Sequence, residues 1–347
     1  MTMSHRPTVL HLVDDTTPGG VTRVLDHIRR CPQMARDARH EIRPVSRRAP
    51  LPSCQADLVV SHLAISWRSL PRLISFRARH AATPIVHVEH SYTERFTALN
   101  VAARGRFFTL LRTAYALFDR VVAVSAPQGA WLSRRRLVQS QRLVVIPPVV
   151  DLAPFRQIPA ATGPVRRFGA IGRLHPQKGF DLLIQAFCSL PEQDIALDIC
   201  GSGPDLEALR ALAGDDRRIV FKPHVAAPQH AFEAVDMVLI PSRWEAFGLV
   251  ALEARAAGRP VLTSGVDGLV DSAGPGARHV TGQGAEAWAE ALSAVLDGPP
   301  APLCQTRAQQ AEADFADRWK TLLIAPLVAG EAAARPAGLP ALVGDAA

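Results

Sequence analysis

Residues 167–187 read RFGAIGRLHPQKGFDLLIQAF. The short apolar run Arg167–Ile171 gives way at Gly172 to a loop carrying Arg173, Pro176 and Lys178. After Gly179 the apolar residues recur at helical spacing, which predicts a helix near 180–190. Strand, Gly-containing loop and helix make one βα unit, and the same alternation extends in both directions. Downstream, strand-like runs fall at Ile195–Cys200, Ile219–Lys222, Met237–Pro241 and Pro260–Thr263, with helical patterns near 204–213, 227–235 and 248–257. Upstream, the strand-like runs are Thr8–Val13, Glu41–Val45, Ala56–Ser61, Pro84–His90, Arg120–Ser125 and Leu143–Pro147. Helical patterns lie near 21–31, 65–80, 101–118 and 126–136. Two βα arrays separated by the Pro/Ala/Gly-rich stretch 151–164 predict two doubly wound parallel-sheet domains, residues 1–155 and 156–305. Ala285–Leu296 and Thr306–Leu323 read as amphipathic helices. Residues 306–327 are expected to form a C-terminal helix that packs back on the first domain, and 331–347 a flexible Ala/Gly/Pro-rich tail.

The 347 residues suit two domains, and 48% hydrophobic with 20% charged residues suits a globular protein rather than a disordered or collagen-like one. The net charge of +7 conceals an asymmetry: residues 1–150 carry 22 Arg and 9 acids, and the remainder carries an excess of acids. Such a split points to two domains with different partners. Only three lysines, Lys178, Lys222 and Lys320, stand against 36 arginines. That bias has a compositional origin in part, and it weakens the case for nucleic acid; no nucleic-acid module or aromatic platform lies among the arginines. The five cysteines are scattered, with no Cys-x-x-Cys pair, which argues against a disulfide framework or zinc site and for a reducing cytoplasm. No apolar run reaches the length of a membrane span. Arg104–Phe118 (RGRFFTLLRTAYALF) has the composition of a helix lying on an anionic membrane surface, with packing against the first sheet as the alternative.

In doubly wound domains, ligands bind outside the carboxyl ends of the strands, so loops following strands carry the chemistry. Gly19 and Gly20, after the first strand, either let the backbone approach an anion at a helix start or simply make a tight turn. Arg173 and Lys178 sit at the carboxyl edge of the first strand of the second domain. They are a fork and a point charge suited to phosphate, with a solvated basic loop as the alternative. Gly201-Ser202-Gly203-Pro204 is a second Gly-rich strand-to-helix turn. In Pro241–Ala254 (PSRWEAFGLVALEA), Glu245 lies in a loop after a strand. Glu253 lies one helical turn or more further on, among Leu249, Val250, Leu252 and Ala254. A carboxylate on so apolar a helix needs partners. Both carboxylates can accept hydroxyl donors beside the free amides of a helix start, and a structural cap is the rival reading for Glu253.

Together these residues resemble glycosyltransferase family 4, the retaining nucleotide-sugar transferases of GT-B architecture. The resemblance spans about residues 8–325 and rests on Gly19-Gly20, IGRLHPQKGFDLLIQAF, Gly201-x-Gly203-Pro204, and Glu245 followed after seven residues by Glu253. RVVAVSAPQGAWL (120–132) and VVIPPVVDLAPF (144–155) also fall where that family has its fifth strand and its crossover. It implies that Arg173 and Lys178 hold a donor diphosphate, that Glu253 bonds the ribose, and that Glu245 engages the transferred sugar. The amides of Phe247, Gly248 and Leu249 would serve sugar and phosphate, Gly203 the donor loop, and Gly19 and Gly20 the diphosphate from the opposite domain. His90, ending PIVHVEH, matches the family's cleft histidine, with His87 as an in-strand alternative. The crossover departs from the family in having Pro148-Val149 where Asn-Gly is usual, and 268–284 (GLVDSAGPGARHVTGQG) is only loosely similar. The implied activity is transfer of a sugar from a UDP- or GDP-sugar to a glycan or lipid-linked acceptor in bacterial cell-surface polysaccharide synthesis. It would take place in the cytoplasm at the inner membrane face, with no metal or other cofactor and no nucleic-acid partner. The rivals are a same-fold epimerase or phosphorylase, and a non-catalytic sugar-nucleotide or membrane-binding protein.

Overall fold

The computed structural model describes residues 6–161, 163–223, 227–298 and 306–334. The first sheet holds β1 (Thr8–Val13), β2 (Arg39–Pro44), β3 (Leu58–Ser61), β4 (Ile85–Glu89), β5 (Arg120–Ala123) and β6 (Leu143–Val145) in the order β2-β1-β3-β4-β5-β6. The second holds β7 (Arg167–Ile171), β8 (Ala196–Cys200), β9 (Ile219–Lys222), β10 (Met237–Ile240), β11 (Val261–Thr263) and β12 (Arg278–His279) in the order β12-β11-β10-β7-β8-β9. Every pairing described between these strands is parallel. Parallel sheets are covered on both faces, which is why β3, β4 and β10 are buried throughout and β10 reads as an unbroken apolar run. Each strand order reverses once, between β1 and β3 and between β7 and β10. These two crevices are where a doubly wound sheet can receive a ligand.

The strands follow the sequence reading to within two residues at most ends. Several short elements were not expected: the helices Pro32–Asp37, Glu94–Asn100, Ala153–Arg156 and Leu269–Ala273, and the two-residue strand Arg278–His279. None spans enough turns to show a 3.6-residue apolar period. They arise from local bonds instead. The Thr93 hydroxyl accepts the Phe96 amide at 3.0 Å at one helix start, and an Asp151 carboxylate oxygen accepts the Ala153 amide at 3.0 Å at another.

The helix Arg104–Tyr115 corrects the membrane reading of that segment. Leu110, Leu111, Tyr115 and Phe118 are buried in the first domain's core, and Phe107 and Phe108 are half-buried against it. What faces out is Arg104, Arg106, Thr109, Arg112 and Thr113, so the segment offers charge without the apolar surface that an interfacial helix requires. No helix among the described residues is long and apolar enough to cross a membrane.

The C-terminal helix runs Thr306–Ala334, beyond the expected end; the rest of the expected tail, from residue 335, lies outside the described residues. This helix returns to the first domain. Phe315 and Trp319 are buried in a core that also contains Ile28 and Met34 of the first domain and Ala251 and Leu252 of the second. Arg318 donates to the Val145 carbonyl at 2.9 Å, and Glu312 pairs with Arg156 at 2.6 Å while accepting the Leu152 amide at 3.1 Å. Trp319 is 2% exposed, and removing so large a buried ring costs about 3–5 kcal/mol. Trp319→Ala is expected to lower the denaturant midpoint of the whole chain by a corresponding amount. A loss below about 1 kcal/mol, well short of that range, would show that the helix is not docked in solution.

Candidate functional site

The residues singled out after β7 and β10 meet at the crevice between these strands. Lys178 ends a single 3₁₀ turn, Pro176–Lys178, and is followed by Gly179 at φ +68°. A side chain at Gly179 would run into the Pro241 carbonyl, so the loop after β7 lies directly on the end of β10. Polar bonds fasten the two loops: the Arg243 amide donates to the Gln177 carbonyl at 2.8 Å, and the Gln177 side-chain amide donates to the Trp244 carbonyl at 3.1 Å. Arg243 also forks Asp181 at 2.8 and 2.6 Å. This holds Lys178 in an ion pair with Glu245, so a cation and a carboxylate share the mouth of the crevice. Gly203 contributes through packing: a side chain there would overlap the Leu174 carbonyl, and Leu174 in turn donates its amide to the Ser202 carbonyl at 2.9 Å. It thereby steadies the loop that presents Arg173, which is exposed on the cleft.

Gly248 precedes the helix Leu249–Ala256 at φ +92°, a backbone state that L-residues avoid, and a Cβ would sit 2.6 Å from Leu269. The helix start therefore lies beside Glu245, with the amides of Phe247 and Gly248 just before it and that of Leu249 at its first position. Glu253 is 1% exposed, and its Oε1 lies 2.6 Å from Arg23 Nη1 of the first domain. Burial raises its pKa, against which the charges of Arg23 and Lys178 act. Its partner is thus a cation from the opposite domain, which the sequence reading did not find. Arg23 lies three residues beyond Gly20 on a helix whose apolar period hides nothing unusual about it.

Across the cleft, Gly19 and Gly20 open the helix Gly20–Arg30. The space a Cβ would take at Gly19 is 3.8 Å from Arg173 Nη2, and at Gly20 it is 3.2 Å from Leu249. The glycines leave the two domains' loops nearly touching. Asp267 spans the gap as well: it accepts the Thr93 hydroxyl at 2.7 Å and the Arg95 amide at 3.3 Å from the first domain, and the Glu245 amide at 3.3 Å. His90 lies on the first-domain wall of a cavity of about 170 Å³ that is also lined by Asp14, Arg47, His62, Tyr92 and Arg173. His87 is buried at 2% exposure, 3.6 Å from Glu89; it is the in-strand member of the pair. The buried Asp14 carboxylate is matched by Arg72 at 3.2 Å and Arg47 at 3.8 Å. Asp14, following β1, and His62, following β3, occupy positions where strand-end reasoning could have found them. Arg47, in the loop after β2, could have been found in the same way, whereas Arg72 lies inside the helix Leu70–Arg79 and carries no such signal.

His90 Nε2 is 2.8 Å from His62 Nδ1, His62 Nε2 is 3.0 Å from His11 Nδ1, and His11 Nε2 is 3.0 Å from His40 Nδ1. Burial lowers the pKa of all four, to about 4 for His90 and His40 and well below the ordinary 6.5 for His11 and His62. Among the described residues no group of three or more His, Cys, Asp or Glu side chains is arranged to hold a metal ion.

Chemically, the arrangement sets two cations and a helix start beside two carboxylates, and one of the cations, Arg173, lines the cavity that holds His62 and His90. Two sequence-family patterns match the chain. The pattern described as Glycosyltransferase Family 4 covers residues 3–154, and the one described as Glycosyl transferases group 1 covers 165–298. A D-inositol 3-phosphate glycosyltransferase of an Arthrobacter species is 31% identical over 294 residues, 77% of this chain and 68% of the relative. One of the same name from Nocardia farcinica is 34% identical over 204 residues, 51% of this chain and 45% of the relative. The chain spans about half the length of the first such relatives it matches. Among solved structures, a sucrose-phosphate synthase from Thermosynechococcus elongatus superposes with a TM-score of 0.71 at 20% identity, covering 95% of this chain and all of the other. HepE of Anabaena, solved with UDP and glucose, gives 0.64 at 16% identity with 95% and full coverage. The two-domain arrangement is that of the GT-B glycosyltransferases. The chain belongs to glycosyltransferase family 4.

Two measurements check this site. Lys178→Ala is expected to weaken nucleoside diphosphate binding roughly ten- to hundredfold, at ~1.5–3 kcal/mol for a bond to a charged group, and to leave nucleoside binding nearly unchanged. Calorimetry showing equal losses for both ligands would remove Lys178 from phosphate binding. The second concerns pH. His11, His27, His40, His62 and His90 all have lowered pKa values in the fold. Between 6.5 and about 4, then, the unfolded chain binds more protons than the folded one. Their contribution is complete above pH 6.5 and is lost as pH falls through that window. Glu253 and Asp267, raised by burial, act in the opposite sense but are fewer. The denaturant midpoint should fall from pH 7 to pH 5, less so in His62→Asn; a midpoint that is flat or rises on acidification contradicts the buried neutral histidines.

Proposed function

We propose that this protein is a retaining glycosyltransferase that takes a sugar from a UDP- or GDP-sugar and places it on a hydroxyl of a glycan or lipid-linked acceptor in bacterial cell-surface polysaccharide synthesis. The observation that carries the reading is the crevice between β7 and β10, which holds the Lys178–Glu245 pair, the start of the helix Leu249–Ala256 and Arg173, the last of these lining the same cavity as His90. Departure of a nucleoside diphosphate from a sugar builds negative charge on the phosphate and positive charge on the sugar ring. In this reading Arg173, Lys178 and the helix amides neutralise the phosphate, so no metal or other cofactor takes part. Lys178 exchanges part of its contact with Glu245 for phosphate, which frees Glu245 for the sugar hydroxyls. Glu253, with one oxygen on Arg23, offers the other to the ribose. In this reading the leaving phosphate itself receives the acceptor's proton on the face it departs from, and the anomeric configuration is kept.

The acceptor occupies the cavity of the first domain. Relatives bearing the name D-inositol 3-phosphate glycosyltransferase make a cyclitol phosphate one acceptor to assay beside lipid-linked glycans. The basic first domain favours an anionic acceptor or membrane surface. The apolar part of such a surface contact would come from Trp67 and Leu99, 43% and 56% exposed, rather than from the helix Arg104–Tyr115. Arg106 lies over the Trp67 ring at 5.4 Å.

Thermal-shift screening with UDP, GDP and ADP and their sugars identifies the donor, and NMR of the product reads retention. Glu245→Gln is expected to lower kcat by tenfold or more, within the range of a positioned polar group at the reacting centre, while nucleotide affinity stays within about twofold. Wild-type kcat in that variant would sink the role given to Glu245. Product release without an acceptor would favour an epimerase, and nucleotide binding without turnover a non-catalytic protein.

A further inference from the structure

The four histidines that link the cleft to the back of the first domain come from four different segments. His11 lies in β1, His40 in β2, His62 follows β3 and His90 follows β4. Their ring nitrogens meet in series at 2.8, 3.0 and 3.0 Å, and successive ring centroids are 5.1–5.3 Å apart. His11 and His62 are buried. Every internal nitrogen is spent on a neighbouring ring, so the arrangement is a chain rather than a metal site.

Burial above all keeps the chain neutral. Burial is the largest influence on each ring; at His90, Glu89 favours and His87 opposes a proton. His62 faces the other three rings around it, His90, His11 and His87, and His11 faces His40. At the far end Arg6 opposes and the Met34 carbonyl and Asp37 favour a proton on His40. A neutral imidazole has one N–H and one lone pair. In a series of neutral rings the donors must all point one way, so the proton position at one end dictates that at the other. The far end breaks the tie. With Nδ1 directed at His11, the free nitrogen of His40 is Nε2, which is buried without a bond of its own. Of the groups that act on this ring, the Met34 carbonyl and the Asp37 carboxylate can only accept, and Arg6 acts through its charge. A hydrogen on His40 Nε2 leaves Nδ1 to accept from His11 Nε2–H, His11 Nδ1 from His62 Nε2–H, and His62 Nδ1 from His90 Nε2–H.

We propose that His62, His11 and His40 are positioning residues that hold His90 as its Nε2–H tautomer, so that the Nδ1 lone pair is the one left to accept a hydroxyl hydrogen in the cleft. The assignment rests on the functional reading above only for what that hydroxyl belongs to; the tautomer is a property of the protein alone. The ring's orientation and its proton are fixed from behind, as a second shell fixes a catalytic or ligating histidine.

The test uses the full chain labelled with ¹⁵N-histidine, in which long-range ¹H–¹⁵N correlations distinguish the two tautomers of each ring. His90 is expected in the Nε2–H form from pH 6 to 8. His62→Leu, which removes the acceptor, should give mixed tautomers at His90. His62→Asn, whose side-chain oxygen replaces Nδ1, should restore the single form. His40→Leu, three rings from His90 and outside the cavity, should also loosen it if the direction is transmitted. With the donor found by the screen, His62→Leu should lower kcat about tenfold or more at unchanged nucleotide affinity, and His62→Asn should recover most of it. An Nδ1–H or mixed His90 in the wild-type protein, or a single unchanged tautomer in both leucine variants, overturns the proposal. If the wild type turns over no sugar nucleotide, the functional reading falls and the tautomer data decide the chain by themselves.

Discussion

Around the ends of β7, β8 and β10 the backbone of the second domain lies directly on itself with no room for a side chain: Gly201 on Gly172, Gly203 on Leu174, and Gly179 on Pro241. These contacts tie the ends of β7, β8 and β10 into one floor. Arg173, Lys178 and Glu245 stand on it. Backbone packed this closely cannot tilt by degrees, so the spacing between the two cations and the carboxylate is a property of the sheet and not of the individual loops. A methyl group at any of the three glycines would lift one loop off another and alter all three side chains together.

The opposite wall is built differently. It meets the floor through polar links in which one partner is always a loop or a helix start: Arg23 to Glu253, Thr93 and Arg95 to Asp267, and the Ala126 amide to Asp271 at 2.6 Å. These are directional and few, and beside them Phe96 of the first domain meets Trp244 of the second edge-on, ring centres 6.0 Å apart. The apolar continuity between the domains lies behind the cleft, where Val149, Val150 and Leu152 of the crossover are buried with Trp319. The wall that a substrate must enter is held by hydrogen bonds, and the back is held by burial.

The sheets were legible because most of the strands are apolar runs followed by a loop with a glycine or charge; β2 (RHEIRP) and β12 (RH) are not such runs. Arg173, Lys178, Glu245 and the turn at Gly248 could be placed at strand ends for the same reason. Three kinds of information were not legible. The first is partnership across the cleft: nothing near Arg23 in the chain announces that it answers Glu253. The second is the side of a helix: RGRFFTLLRTAYALF has the same composition whether its rings face lipid or the sheet, and only packing decided for the sheet. The third is the histidine series. His11, His40, His62 and His90 lie 22–29 residues apart, at the interval of one βα unit. Only the strand order β2-β1-β3-β4 lines them up, and a linear sequence does not contain that order.

The docking of the C-terminal helix has a consequence for how the chain is made. Phe315 lies 6.0 Å from His27 and Trp319 6.0 Å from His11, ring centre to ring centre, so the last described helix completes the packing of the first strand and first helix. During synthesis the first domain is finished by about residue 155, but its covering helix leaves the ribosome some 160 residues later. At ~5–20 residues per second that is on the order of ten to thirty seconds. Through this interval the seam around Ile28 and Met34 stays open to water, on the most positively charged part of the nascent chain. The docking of Phe315 and Trp319 ends that exposure.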